Sequence, residues 1–197
     1  MIHAVINATN NLSLTNFHET NLMKIAYEKL LNIKYIDNIS VLSKFDASEY
    51  LYNYHHDGTD TIIIDEEVVS FTQILQVFKS INSDYILYLS ALYPFISENT
   101  INRICRNMKN ADSAVTILET YVPKADHEFK YPSCLWNSPL YIVNRDFSLE
   151  TGEMYALNPY LNFLDKIESI KIESNKELYL FAMYYKIKNE IDKRFVR

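Results

Sequence analysis

The sequence predicts an α/β fold, a three-layer sandwich in which helices cover both faces of a mainly parallel sheet. Three observations carry that reading. Short apolar runs of strand length alternate with helical patterns as far as residue 118, the mark of βαβ units and a mainly parallel sheet. Apolar residues make up 48% and charged residues 22% of the 197 residues, which suits a globular chain able to bury a core. No repeat, low-complexity tract or linker divides the chain, so residues 1–197 read as a single domain.

The elements follow in order. Residues 2–6, Ile-His-Ala-Val-Ile, form a short apolar run that reads as a buried strand. Residues 7–20 are polar, rich in Asn and Thr, and read as a loop. Leu22, Ile25, Ala26 and Leu30 recur at helical spacing and predict a helix over 22–31. Residues 39–42 predict a second strand and 47–54 a short helix. A third strand, 61–64, contains Ile62, Ile63 and Ile64 in succession. Phe71, Ile74, Leu75, Val77 and Phe78 share one helical face and predict a helix over 71–81. A fourth strand spans 85–89, and a helix over 97–108 starts from Ser97 as N-cap. Residues 114–118 predict a fifth strand, whereas 119–139 are irregular, with Pro123, Pro132 and Pro139. The remainder reads as a strand at 140–143, a short helix at 159–164, a last strand at 169–172 and a closing helix at 176–191.

Composition excludes several classes of function. A net charge of -6 argues against a nucleic-acid partner, because phosphate neutralisation needs clustered Lys and Arg. The basic residues of 186–197 alternate with Glu190 and Asp192, as on a solvated terminal helix. No run of about 20 apolar residues offers a membrane span. The start of the sequence lacks the pattern of a signal peptide, so a cytoplasmic location and reduced Cys105 and Cys134 are expected. Two features are unusual. The chain has 16 tyrosines and only 2 glycines, Gly58 and Gly152. Loops that wrap a phosphate use glycine so that backbone N–H groups approach closely, and this chain has almost none to offer.

Five segments resemble the cytidylyltransferases of the acylneuraminate type. Residues 86–96, Ile-Leu-Tyr-Leu-Ser-Ala-Leu-Tyr-Pro-Phe-Ile, are similar to that family's LLQPTSPLR segment. Residues 110–117, Asn-Ala-Asp-Ser-Ala-Val-Thr-Ile, resemble its NADSVVSV strand. Residues 136–142 are similar to NGSIYI, 35–41 to YIDRVVVST and 170–178 to VDIDTEEDL. The matches keep their order over nearly the whole chain. The resemblance implies a nucleotide-diphospho-sugar transferase-like fold, a homodimer, CTP as nucleotide, Mg²⁺ as cofactor, and transfer of CMP to a sugar or sugar acid for surface polysaccharide synthesis.

The departures fall where that chemistry sits. The family's Arg- and Gly-rich loop after the first strand becomes Asn7, Ala8, Thr9, Asn10 and Asn11, with no Arg or Lys before Lys24. The Gln of its fourth strand is Ser90, and the Arg after the proline is Ile96. Its two metal-binding aspartates become Lys171 and Glu173. Glu173 can still offer an oxygen to a metal, whereas the cation of Lys171 repels one. The resemblance therefore implies a nucleotide site at Asn7, Ala8, Thr9, Asn10 and Ser90, a metal corner at Glu173, and weak or lost activity. Lys24, Arg103 or Arg145 would have to supply the missing positive charge in an active enzyme.

Each of these residues has a plainer reading. Asn7 to Asn11 also fit a polar loop at a strand end, and Glu173 fits an acid at a helix start, where the dipole favours it. His55, His56, Asp57 and Gly58 suit a solvent-exposed turn better than a metal site. Cys105 sits among apolar neighbours as an inert buried thiol. Tyr93, Tyr131, Tyr141, Tyr155 and Tyr160 fall near the loops of a sugar-side cleft or pack in the core. Tyr179, Phe181, Tyr184 and Tyr185 mark a packing face of the last helix or a partner contact. Two functions stay open: a cytidylyltransferase, or a non-catalytic nucleotide- or sugar-binding protein derived from one. Positive charge in the cleft separates them, because a triphosphate brings about four negative charges.

Overall fold

A computed structural model of the chain describes residues 1–51, 60–64, 70–108, 111–118, 138–156 and 159–195. Among them seven strands form one sheet: β1 (Ile2–Asn7), β2 (Asn38–Ser43), β3 (Asp60–Ile63), β4 (Tyr85–Ser90), β5 (Ser113–Leu118), β6 (Leu140–Asn144) and β7 (Tyr160–Leu164). Their order is β3-β2-β1-β4-β6-β5-β7. β6 runs antiparallel to both its neighbours, and every other pairing is parallel. The helices are α1 (Asn11–Leu14), α2 (Leu22–Leu31), α3 (Ser48–Leu51), α4 (Phe71–Ser80), α5 (Glu98–Asn107), α6 (Arg145–Thr151) and α7 (Asn175–Phe195).

The strands are central because they are apolar on both faces. Ile2, Ala4 and Ile6 join Leu87, Leu89 and Ile142 under α2, α5 and the start of α7. Val5, Ile86, Tyr88, Tyr141 and Val143 face the other way, against Ile74, Val77 and Phe78 of α4 and Leu149 of α6. Two apolar faces covered by helices make the expected three layers. Side chains close most helix starts. Asn21 caps α2 by accepting from Lys24 N, Ser70 and Gln73 form a capping box on α4, and Ser97 caps α5. Asn144 caps α6, and Gly152 ends it with φ 72°.

The structure corrects the sequence reading in the last third. The short helix expected over 159–164 is instead strand β7, Tyr160–Leu164. Asn162 and Leu164 point inward while Leu161 and Phe163 stay exposed, a two-residue alternation that pairs with β5. Residues 169–172 form no strand. They leave a turn, and one bond from Ile172 N to the Leu92 carbonyl, at 2.9 Å, holds them to the loop after β4. Helix α6 was not expected. The predicted loop at 7–20 contains α1 and a tight turn in which Phe17 and Thr20 exchange backbone bonds of 2.8 and 2.9 Å. His55, His56, Asp57, Gly58, Tyr131, Cys134 and the irregular stretch up to 137 lie outside the described residues.

The four aromatic residues singled out on the last helix divide. Phe181 joins the core and Tyr185 packs against it, whereas Tyr179 and Tyr184 are exposed. Cys105 is buried, and burial pushes its thiol up to about 12, as an inert core thiol requires. Among the described residues no helix is long and apolar enough to cross a membrane.

Two predictions follow from local strain and burial. His18 and Glu19 carry the turn after Phe17 with φ 46° and φ 69°, a left-handed conformation that costs a side-chain-bearing residue about 1–2 kcal/mol. Glu19→Gly should therefore raise stability by about 0.5–1 kcal/mol in urea unfolding, after the larger entropy of the unfolded glycine is subtracted. Under α6, the rings of Tyr88 and Tyr141 stack at 4.7 Å, and Tyr155 meets Tyr141 edge-on at 5.5 Å. Burial pushes the Tyr88 phenol up to about 12 and raises those of Tyr141 and Tyr155. The unfolded chain releases these protons near pH 10 and the folded chain later, so stability is full below pH ~10 and falls above it. The Tyr141 hydroxyl is buried without a hydrogen-bond partner among the described residues. Tyr141→Phe should leave stability at pH 7 equal or up to about 1 kcal/mol higher, and should flatten the alkaline loss in unfolding curves between pH ~9 and ~11.

Candidate functional site

The carboxyl ends of β1, β2 and β4 lie along one edge of the sheet, since all three strands are parallel. The strand order turns back at β1. Its successors β2 and β3 lie on one side, and β4 lies on the other. Ligands of open α/β sheets bind outside such a switch point. Asn7, the last residue of β1, and Ser90, the last of β4, are direct register partners there. Two of the residues singled out from the sequence thus meet at the place the topology favours.

The loop after Asn7 is closed on itself. The Asn7 amide nitrogen donates to the Tyr88 hydroxyl. Its Oδ1 accepts from the Thr9 amide at 3.1 Å and the Thr9 hydroxyl at 2.9 Å. Ala8 N donates to the Leu42 carbonyl at 2.8 Å. Asn10 Oδ1 accepts from Leu12 N at 2.9 Å, and the Asn10 carbonyl accepts from Ser13 N at 2.9 Å. Ala8 and Thr9 are buried, whereas Asn7, Asn10 and Ser90 keep part of their surface exposed. The amides of Ala8, Thr9, Leu12 and Ser13 therefore point into the protein, not toward a ligand.

The β4–α5 loop is held by charge that the sequence did not advertise. Lys29, on α2, donates to the carbonyls of Pro94 and Ile96, the latter at 2.7 Å. Burial and nearby Lys188 push its ammonium down to about 8, against the pull of Glu98 and Glu168. Glu168 is buried, and its Oε1 accepts from Ser97 N at 3.0 Å and from the hydroxyls of Ser97 and Thr100 at 2.7 Å each. Its only signal in the sequence was an acid some 70 residues from its partners, and only the fold brings it to the start of α5. Ile96, which stands where the resemblance places an arginine, is 1% exposed and belongs to the core.

Glu173 comes near the same loop, because the neighbouring Ile172 bonds Leu92, two residues after Ser90. Its carboxylate pairs with Lys171 at 2.7 Å, and its backbone N–H donates to Glu177 at the start of α7. Among the described residues no three His, Cys, Asp or Glu side chains converge on a point that could hold a metal. A cation at Glu173 has to displace the Lys171 ammonium and take its other oxygens from a bound phosphate.

The cations differ in what they can reach. Arg145 follows β6, which runs against β4, so it sits at the opposite edge of the sheet. There its backbone bonds Asp84 and its side chain bonds the Phe78 carbonyl and Asp146. Arg103 is exposed in the middle of α5. Lys24 lies in the first turn of α2, and Lys44 follows the carboxyl end of β2. Both belong to segments on the edge that carries Asn7 and Ser90. Lys44 escaped sequence reasoning because a lone lysine after a strand carries no pattern.

No family model matches the chain, and no curated protein sequence matches it. Solved structures do. A 4-diphosphocytidyl-2C-methyl-D-erythritol synthase from Anaerococcus prevotii aligns over 94% of this chain and 96% of its own, with TM-score 0.70 and 13% identity. A CMP:2-keto-3-deoxy-manno-octonic acid synthetase, solved with CTP, aligns over 95% and 99%, with TM-score 0.68 and 11% identity. A second 4-diphosphocytidyl-2C-methyl-D-erythritol synthase aligns over 92% and 98%, with TM-score 0.66 and 11% identity. The chain has the fold of these cytidylyltransferases, a mostly parallel seven-strand sheet between helices, along nearly its whole described length.

Proposed function

We propose that the chain binds a cytidine nucleotide or a sugar at the switch point between β1 and β4, and transfers CMP slowly or not at all. One observation carries the reading: Asn7 and Ser90 are register partners at the carboxyl edge of a sheet shared with CTP-using enzymes. The second N–H of the Asn7 amide, beyond the one given to Tyr88, and the Ser90 hydroxyl suit the edge of a base or the hydroxyls of a sugar.

The same edge is poor in what phosphoryl transfer requires. Transfer depends on donors and cations already placed around the phosphates, and loss of one such contact commonly costs about 3–4 kcal/mol, or roughly 10²–10³ in rate. Here the loop amides are engaged internally and Ile96 is core. Mg²⁺, if it takes part, would rest on Glu173 and the substrate's own phosphates, where it would offset their charge. A second reading, an active cytidylyltransferase in surface polysaccharide synthesis, would draw its cations from Lys24 and Lys44 on the same edge.

Thermal-shift and calorimetric titration with CMP, CTP and candidate sugars, with and without Mg²⁺, tests both readings. A ligand at 100 times its Kd should stabilise the fold by about 2.7 kcal/mol. CMP and CTP should bind within about tenfold of each other, because the amides of the loop after β1 are engaged within the protein and do not cradle the outer phosphates. Asn7→Ala and Ser90→Ala should each weaken binding by roughly tenfold, with Glu173→Ala altering only any Mg²⁺-dependent part. Pyrophosphate release from CTP at about 1 s⁻¹ or faster with a sugar acid would establish the second reading. No stabilisation by any nucleotide or sugar would overturn the first.

A further inference from the structure

The chain leaves β2 at the edge that carries Asn7 and Ser90. Leu42 is the register partner of Asn7, and its carbonyl accepts from Ala8 N at 2.8 Å. Three residues further on, Phe45 is 63% exposed, and among the described residues no other phenylalanine is as exposed. Its ring has no polar atom to offer to water, as an exposed tyrosine has, so solvation does not account for its position.

Nor does a loose backbone account for it. Phe45 N donates to the Ser43 hydroxyl at 3.2 Å, and the Ser43 carbonyl accepts from Ile64 N at 2.8 Å. Ser43 and Ala47 are fully buried on either side of it. Asp46 Oδ1 accepts from Ser48 N at 2.9 Å, where α3 starts. The segment is pinned before and after Phe45, and the ring is held out at the edge. We propose that Phe45 is the platform on which the base of a nucleotide stacks, so that the ligand at the switch point is a nucleotide recognised through its base and not a bare sugar. The inference rests on the binding at β1 and β4 proposed above, and it names the ligand class for that site.

The Phe45 Cα lies at most about 10 Å from that of Leu42, and β1 is the next strand, so a base held at Asn7 is within reach of the ring. A nucleobase is flat and carries its polar atoms at its rim. Its face suits the apolar ring of Phe45, and its rim suits the second N–H of Asn7 and the Ser90 hydroxyl. A sugar carries hydroxyls around its whole periphery and needs more polar partners than one amide and one hydroxyl supply. Removing an aromatic platform commonly weakens binding about ten- to hundredfold per stacked base. Anchoring at the base also agrees with the loop after β1, whose amides are turned inward and not toward phosphate.

Calorimetry of the full chain with CMP and with ribose 5-phosphate, which lacks the base, tests this, and the melting temperature of each variant without ligand reports its fold. Phe45→Ala should melt close to wild type, as a change at an exposed side chain does, and should bind CMP about ten- to hundredfold more weakly. Phe45→Leu keeps apolar bulk without a flat face and should lose about tenfold, whereas Phe45→Tyr keeps the face and should stay within about threefold of wild type. Ribose 5-phosphate should bind wild type at least about tenfold more weakly than CMP and should not distinguish the variants. Phe45→Ala and Phe45→Leu that bind CMP as tightly as wild type would overturn the stacking and leave nucleotide binding standing. An equal loss for CMP and ribose 5-phosphate would overturn the part given to the base. Wild type that binds no CMP would overturn the nucleotide reading itself, and the stacking with it.

Discussion

Everything at the candidate site depends on the pairing of β1 with β4. β1 is buried on both faces and takes two parallel neighbours, so its register is fixed by side chains above and below it. A slip by one residue would turn Ile2, Ala4 and Ile6 to the wrong layer and carry Asn7 away from Tyr88. The site therefore inherits its geometry from the core. The hydroxyl of Tyr88 reaches Asn7 from the same strand face whose ring stacks on Tyr141. A polar group at the edge is thereby tied to an aromatic layer beneath it.

The loop between β1 and α2 satisfies its own backbone groups. A phosphate-wrapping loop leaves its amides unsatisfied so that a ligand can take them. In this chain Asn7 and Asn10 take those amides, as short polar side chains do when they bond backbone groups two residues on. The loop is stable when empty. Stability of that kind and a strong grip on phosphate are alternatives, because each N–H makes one good bond. The absence of glycine points the same way, since His18 and Glu19 carry left-handed backbone that glycine would adopt without strain.

Buried charge on the other side of the switch point plays a structural part. Lys29 and Glu168 converge on the β4–α5 loop from α2 and from the turn after β7, and each satisfies backbone or hydroxyl groups that a helix start or loop leaves open. They hold in place the segment that begins at Ser90. The chain spends polar contacts on fixing this loop where the cytidylyltransferase-like motif would present an arginine, and Ile96 there fills the core instead.

The sequence alone determined the first four strands and the helices between them, because each carries its own period: continuous apolar runs for buried parallel strands, and three-to-four spacing for helices, with Ser97 legible as the cap that starts α5. It also placed Asn7 and Ser90 at strand ends, where a strand-end rule suffices. Tertiary structure decided the rest. Tyr160–Leu164 is a strand because β5 offers it an open edge, whereas residues 169–172 turn away from the sheet after β7 and bond the loop after β4 through Ile172 N. The roles of Glu168, Lys29 and Tyr88 arise from partners 67–81 residues away, which no local pattern encodes. The division of the α7 aromatics into covered and exposed was not legible either, since the sequence cannot say which side of that helix the body of the protein will cover.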